Sequence, residues 1–120
     1  MGNPVTQWQI VSTNPEATTK FCGKLFGWTV ASANALGYRT VDTQSPDGIG
    51  GGIWPAPAGA HSMVQLFIEV DDVDAHLDKA VSLGAKIIVP KSALPDGDTM
   101  AVVLDPTGLP FGIYRPAARR

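Results

Sequence analysis

Apolar positions along the chain recur with two different periods. Near residues 14–27 the spacing is four: Ala17, Phe21 and Leu25, widened by Cys22 and Phe26. That spacing predicts one face of a helix. Asn14-Pro15-Glu16 supplies a cap amide, a proline at the first helical position and a first-turn acid, and Gly27 supplies a stop. A second helix is expected from Asp72 to Gly84, with Leu77, Ala80, Val81 and Leu83 as its stripe. Elsewhere the period is two. Strands are expected over 5–11, 28–33, 36–42, 49–54, 63–70, 86–89, 99–104 and 110–114. The runs around Asn34, Ser45 to Gly48, "PKSALPDGD" and "DPTG" read as turns or loops between them.

The order is β-α-β-β-β, and it occurs twice. Gln7 stands seven residues before the cap Asn14, and Gln65 seven before the cap Asp72; Ile10 matches Ile68 and Ala17 matches Ala75. Such a repeat implies one supersecondary unit used twice. "PAPAGA", Pro55 to Ala60, is the natural joint. The modules run from about 4 to 56 and from about 62 to 115, within one domain.

Strand parity places Trp8 and Ile10 on one face of the first strand and Gln7 and Gln9 on the other. In the matching strand, Leu66, Ile68 and Val70 share the helix-facing side, with Gln65, Phe67 and Glu69 opposite. Leu66, like Trp8 and Ile10, is expected in the core. The amide stripes either line a ligand cleft or are wetted sheet faces. Trp54 and Tyr114 end the last strands of the two modules, where they either wall such a cleft or cap the core.

"NPEATTKFCGKLFGWTV", "GIGGGIW", "VQLFIEVDDVDAHLDKAVSLGAKI" and "VVLDPTGLPFGIYRP", in that order, carry a family likeness. Together they resemble the vicinal oxygen chelate superfamily, the group of glyoxalases, bleomycin-resistance proteins and extradiol dioxygenases. The resemblance covers nearly the whole chain. It implies an α+β fold of two βαβββ modules forming curved open sheets around a cleft, often completed by dimerisation. It also implies a divalent metal held by the first and last strands of each module. Carried over residue by residue, those positions fall on Gln7, Gln65, Gly112 and one residue within 49–53. Two neutral amides and a glycine, with no ligand side chain anywhere in 49–53, do not make a set for a divalent ion, so no metal and no cofactor are expected.

Composition narrows the function classes. Of 120 residues, 44% are hydrophobic and 17% charged, which marks a folded domain. The net charge of −2 gives no electrostatic case for nucleic acid. The basic "RPAARR" reads as a solvated tail, and Gly2 is not read as a lipidation site. No apolar run reaches the ~20 residues a membrane span needs. One cysteine, Cys22, allows no internal disulfide, and it reads as a buried small hydrophobe. With no signal peptide in "MGNPVTQWQI", a cytoplasmic protein is expected.

Other candidates have simpler readings. His61 reads as a solvated loop residue and His76 as the polar flank of its helix. Asp71, Asp72 and Asp74 read as a cap and first-turn acids. "DGIGGGIWP" lacks the Lys-Ser/Thr of a phosphate loop and reads as a strand open to close approach by a backbone or a flat ligand. Glu69 is the one acid placed in the cleft and the one candidate base, with a salt-bridged or solvated carboxylate as its alternative.

The function expected is metal-free binding of a planar organic molecule, of the bleomycin-resistance type. Gln7, Gln9, Trp54, Gln65, Phe67, Glu69 and Tyr114 are the ligand-binding residues. A glyoxalase-like lyase or isomerase, or a regulatory or scaffold module with a vestigial cleft, are the alternatives, and whether any reaction is catalysed stays open. Uncovered sheet edges predict a homodimer.

Overall fold

Both helices start where their caps place them. The structure, a computed structural model, describes residues 2–117. Asn14 Oδ1 accepts the Ala17 N–H at 3.1 Å, and helix α1 (Pro15–Phe26) ends at Gly27, whose φ of 73° is left-handed. Asp72 Oδ1 accepts the Ala75 N–H at 3.0 Å and opens α2 (Val73–Ser82).

The first module is β1 (Val5–Ser12), α1, β2 (Thr29–Val30), β3 (Arg39–Asp42) and β4 (Gly51–Pro55). Its strands lie in the order β2-β3-β4-β1, with β1 parallel to β4 and the other pairs antiparallel. The second is β5 (Met63–Glu69), α2, β6 (Lys86–Ala93), β7 (Thr99–Leu104) and β8 (Pro110–Arg115), in the order β5-β8-β7-β6. Here β5 is parallel to β8 and the other pairs are antiparallel. The fold is therefore α+β, with βαβββ used twice.

Three strands differ most from expectation. β2 and β3 are shorter, because Asn34 Oδ1 accepts the N–H groups of Leu36 and Tyr38 and Gly37 takes a φ of 80°. That Asx turn withdraws 34–38 from regular pairing. β6 is longer, running through Pro90 to Ala93 with two register shifts. A two-residue β2 and a bulged β6 bearing Lys86, Pro90 and Lys91 are both poor templates for another strand.

The chain divides into two compact units, though not at the expected joint. One unit is Gln7–Gln65. The other joins the segment ending at Thr6 to the chain from Leu66 onward. The Glu69 N–H donates to the Pro4 carbonyl at 3.0 Å, His76 Nε2 lies 3.3 Å from Asn3 Oδ1, and the Thr6 and Tyr114 hydroxyls are hydrogen-bonded. These bonds fasten the start of the chain to the second module's strands.

In that second unit the sheet has two distinct faces. Towards α2 lie Val70, Val73, Leu77, Ala101, Val103 and Ile113, with Ile68 and Phe111 packed against them. Phe67, Met100, Val102 and Tyr114 form a separate cluster, with Val89 and Leu94 beside it. Alternate residues of β5, β7 and β8 thus part between the two clusters, as the period of two requires.

Two core expectations are corrected. Leu66 is 45% exposed, because the ten-residue α2 covers Ile68 and Val70 but not the start of β5. In α1 only Cys22 is buried; Phe21, Leu25 and Phe26 are 60%, 59% and 54% exposed. Thr18 Oγ1 is 2.7 Å from Ser12 Oγ, so the side of α1 that carries Thr18 and Cys22 lies towards β1, and the larger residues lie outward. The phenyl rings do not stand alone: Phe21 packs on Phe26, Phe26 on Trp28, and Trp28 on Trp8, with centroids 6.2, 5.0 and 5.2 Å apart. Val81 and Leu83 at the end of α2 are likewise exposed.

Candidate functional site

The site residues of the first unit follow from the pairing register. Gln9 lies opposite Gly52 and Val11 opposite Trp54, so these four share the sheet face that turns away from Trp8, Ile10 and Ile53. Gln9 is 3% exposed. Its Nε2 donates to Gln7 Oε1 at 2.8 Å, while its Oε1 has no protein partner. Gln65, on β5 but within the same unit, is buried and has Nε2 3.6 Å from Met63 Sδ.

The glycine strand has a definite use. A Cβ on Gly51 would strike the Trp8 carbonyl and indole, and one on Gly52 would strike the Tyr38 ring. Gly51 therefore makes room for the backbone and the ring of Trp8, and Gly52 for the ring of Tyr38. Tyr38 in turn stacks on Trp54, with centroids 4.3 Å apart and planes at 36°. Tyr38 escaped the sequence analysis, which placed it inside a strand over 36–42; it lies just before β3, where the Asn34 turn ends. The signal that could have found it is the glycine two residues before Trp54, a hole needing a large neighbour.

The second unit repeats the device. Gly112 on β8 lies opposite Phe67 on β5, as Gly52 lies opposite Gln9. A Cβ at Gly112 would come within 2.5 Å of three Phe67 ring atoms. Phe67 and Tyr114 are buried together, centroids 6.1 Å apart. Glu69 is half-buried on the same strand, paired with Tyr114 across the ladder. By this correspondence, the residue within 49–53 that matches Gly112 is Gly52.

These positions are where the resemblance puts metal ligands, and the side chains present do not fit that role. Gln7 Oε1 is engaged by Gln9, and Gly52 and Gly112 carry no donor and lie beneath rings. Among the described residues no group of three or more His, Cys, Asp or Glu could hold a metal ion.

The remaining candidates have structural roles. His76 Nδ1 lies 3.0 Å from the Asp72 carbonyl oxygen. His61 is exposed in the linker. Burial pushes the Cys22 thiol above its ordinary pKa, the opposite of activation. Asp71, Asp72, Val73, Asp74, Lys91, Thr99 and Arg115 line a polar recess of about 220 Å³. Asp72 caps α2 there, and Lys91 Nζ is 2.7 Å from Asp74 Oδ2, so Lys91 is engaged. Arg115 at the start of the basic tail is exposed; residues 118–120, with the tail's other arginines, lie outside the described residues.

Comparison with known proteins gives a consistent picture. The profile of the glyoxalase-like domain matches residues 8–114. A protein named as a glyoxylase, CFP32, of Mycobacterium bovis and Mycobacterium tuberculosis is 29% identical over 118 residues. The match takes in 87% of this chain but 42% of the relative, so the chain spans less than half the length of these curated proteins. Among solved structures, methylmalonyl-CoA epimerase from Mycobacterium tuberculosis superposes with a TM-score of 0.69 at 12% identity, covering 98% of this chain and 93% of that one. The Streptomyces coelicolor epimerase, in complex with 2-nitronate-propionyl-CoA, has a TM-score of 0.67 at 17% identity, covering 97% and 99%. At these identities the likeness is one of fold.

Proposed function

Since the chain belongs to the glyoxalase-like domain family, we propose that it binds a small, planar, uncharged organic molecule without a metal, in the manner of bleomycin-resistance proteins. One observation carries the reading: where the resemblance puts metal ligands, the chain has paired amides and two ring-covered glycines. In the unit Gln7–Gln65, Gln7, Gln9 and Gln65 would fix orientation and Trp54 would supply a stacking surface; in the other unit, taken by itself, Phe67, Glu69 and Tyr114 are the proposed ligand-binding residues. The family's fold accommodates small organic ligands, as the epimerase complex illustrates. A phosphate-rich carrier would need cations, and the paired strand positions sharing a face with Gln9 carry no Lys or Arg.

The test has two arms. Elemental analysis of purified protein is expected to find no stoichiometric Zn²⁺, Ni²⁺, Fe or Mn²⁺; about one ion per chain, lost on Gln7→Ala, overturns the metal-free reading. A tryptophan-quenching screen of flat heterocycles, quinones and aromatic antibiotics is expected to give hits, with Trp54→Phe reporting signal origin. Binding of anionic metabolites alone, tightened by Glu69→Gln, overturns the ligand class.

The likeness to a protein named as a glyoxylase favours a second reading, a lyase or isomerase in which Glu69 acts as base. Turnover of 2-oxoaldehyde adducts abolished by Glu69→Gln would select it. The protein is further read as a cytoplasmic homodimer. Its lone buried thiol supports the reducing compartment, and the exposed Phe21, Leu25 and Phe26 support the dimer.

A further inference from the structure

Three described residues, Gln9, Thr19 and Arg39, have a buried side-chain polar atom without a partner, and of these Gln9 is the one on the amide stripe. Its amide is buried, one end bonds Gln7, and the other end has no protein partner. Exchanging O and N in both amides only moves the orphan from Oε1 to Nε2 of Gln9, because the Gln7 bond always uses one end. A buried polar end left unpaired is destabilising, and an apolar side chain of similar shape would avoid that loss. Unpartnered polar groups retained at such cost belong to sites that a ligand or a bound water completes.

What surrounds Gln9 selects between the two. Across the ladder lies Gly52, and over Gly52 lies the Tyr38 ring, stacked on Trp54. Tyr38 is held by the Asn34 turn, whose Oδ1 accepts its backbone N–H at 3.0 Å. An aromatic platform is thus fixed in advance beside an unsatisfied amide. Asp42 shares this face by its pairing with Thr29 and its parity with Thr40, which lies opposite Gly52. An anion would meet an acid and no base there.

We propose that the first module carries a ligand-binding surface of its own, made of Gln9, Gln7, Tyr38 and Trp54, for a neutral aromatic carboxamide or lactam whose amide edge bonds the free end of Gln9. This rests on the small-molecule reading above and narrows it to one face, one platform residue that the sequence analysis missed and one functional group.

Nicotinamide and nicotinate share a ring and differ in the amide, so they are the probes. Each is titrated into ¹⁵N-labelled full-length protein, following the Gln side-chain amides, the Trp54 indole and the backbone of Tyr38 and Gly52. Nicotinamide is expected to shift these signals and to bind at least tenfold more tightly than nicotinate. Gln9→Met is expected to keep a dispersed spectrum, to melt at a higher temperature than the parent and to bind nicotinamide at least tenfold more weakly. Tyr38→Leu is expected to weaken it with the Gln9 amide signal still shifting. If Gln9→Met gains stability and keeps full affinity, Gln9 is satisfied by water and the proposal is overturned. If planar neutral compounds bind but the shifts fall on other residues, this surface is wrong while the small-molecule reading stands. If neither nicotinamide nor any compound of the quenching screen binds, both fall together.

Discussion

Adding one methyl group at Gly112 should tell whether the ring beneath it is a fixed part of the fold. A Cβ there would lie within 2.5 Å of three Phe67 ring atoms, and real Cβ atoms essentially never come within 3.0 Å of a neighbour. The ring must move, yet it is 4% exposed and packed with Met100, Val102 and Tyr114. Forcing such a shift in a filled core costs about 1–3 kcal/mol. Replacing glycine by alanine in a strand returns roughly 0.5–1 kcal/mol through the unfolded chain. Gly112→Ala should therefore lose about 1–2 kcal/mol, or on the order of 3–10 °C in melting temperature for a chain of this size. A double-mutant cycle with Phe67→Leu, read by urea denaturation, isolates the clash. In the Phe67→Leu background, Gly112→Ala should cost under about 0.5 kcal/mol, a coupling of at least about 0.5 kcal/mol. Additive costs would show that Phe67 does not occupy the space over Gly112, and the ring-for-ligand argument would fail with it. Gly112→Glu should likewise gain no Zn²⁺ or Ni²⁺ affinity.

Three further outcomes are expected. Cys22 should react with a thiol reagent only as fast as the protein unfolds, since it is buried and its pKa is raised by burial; fast labelling of the native protein would contradict the orientation assigned to α1. The Asp105 carboxyl is held below its ordinary value of 3.8, first by the Thr107 hydroxyl and then by the Leu109 N–H, so its contribution is present above that value and lost as pH falls through the lower folded one; Asp105→Asn should flatten acid unfolding in that window, and an unchanged acid limb would refute the role. Sedimentation should give a dimer that Phe21→Ser with Leu25→Ser converts to a 12.6 kDa monomer, whereas a monomeric parent at micromolar concentration would remove the assigned role of that face.

Local signals determined a great deal by themselves. Asn14, Gly27 and Asp72 act within a turn of their own positions, so the helix limits could be read directly. The two βαβββ repeats and the parity of β5 are periodic, and period survives without knowledge of the partner strand. The amide stripe of Gln7 and Gln9 was legible, because side-chain direction in a strand depends only on parity, but the burial of Gln9 was not. Tertiary structure decided the rest. Periodicity says that Phe21, Cys22 and Leu25 share a face, but the rotation of α1 about its axis is a tertiary matter, and only Cys22 went inward. The run Gly50 to Gly52 could be read as absent side chains, but which rings fill the gap depends on Trp8 and Tyr38, fixed through strand register and a distant turn. Leu66 has core character and core parity, yet its burial depended on how far a ten-residue helix reaches along β5. Composition and period describe one segment at a time, whereas burial and stacking belong to pairs of segments that only the folded chain brings together.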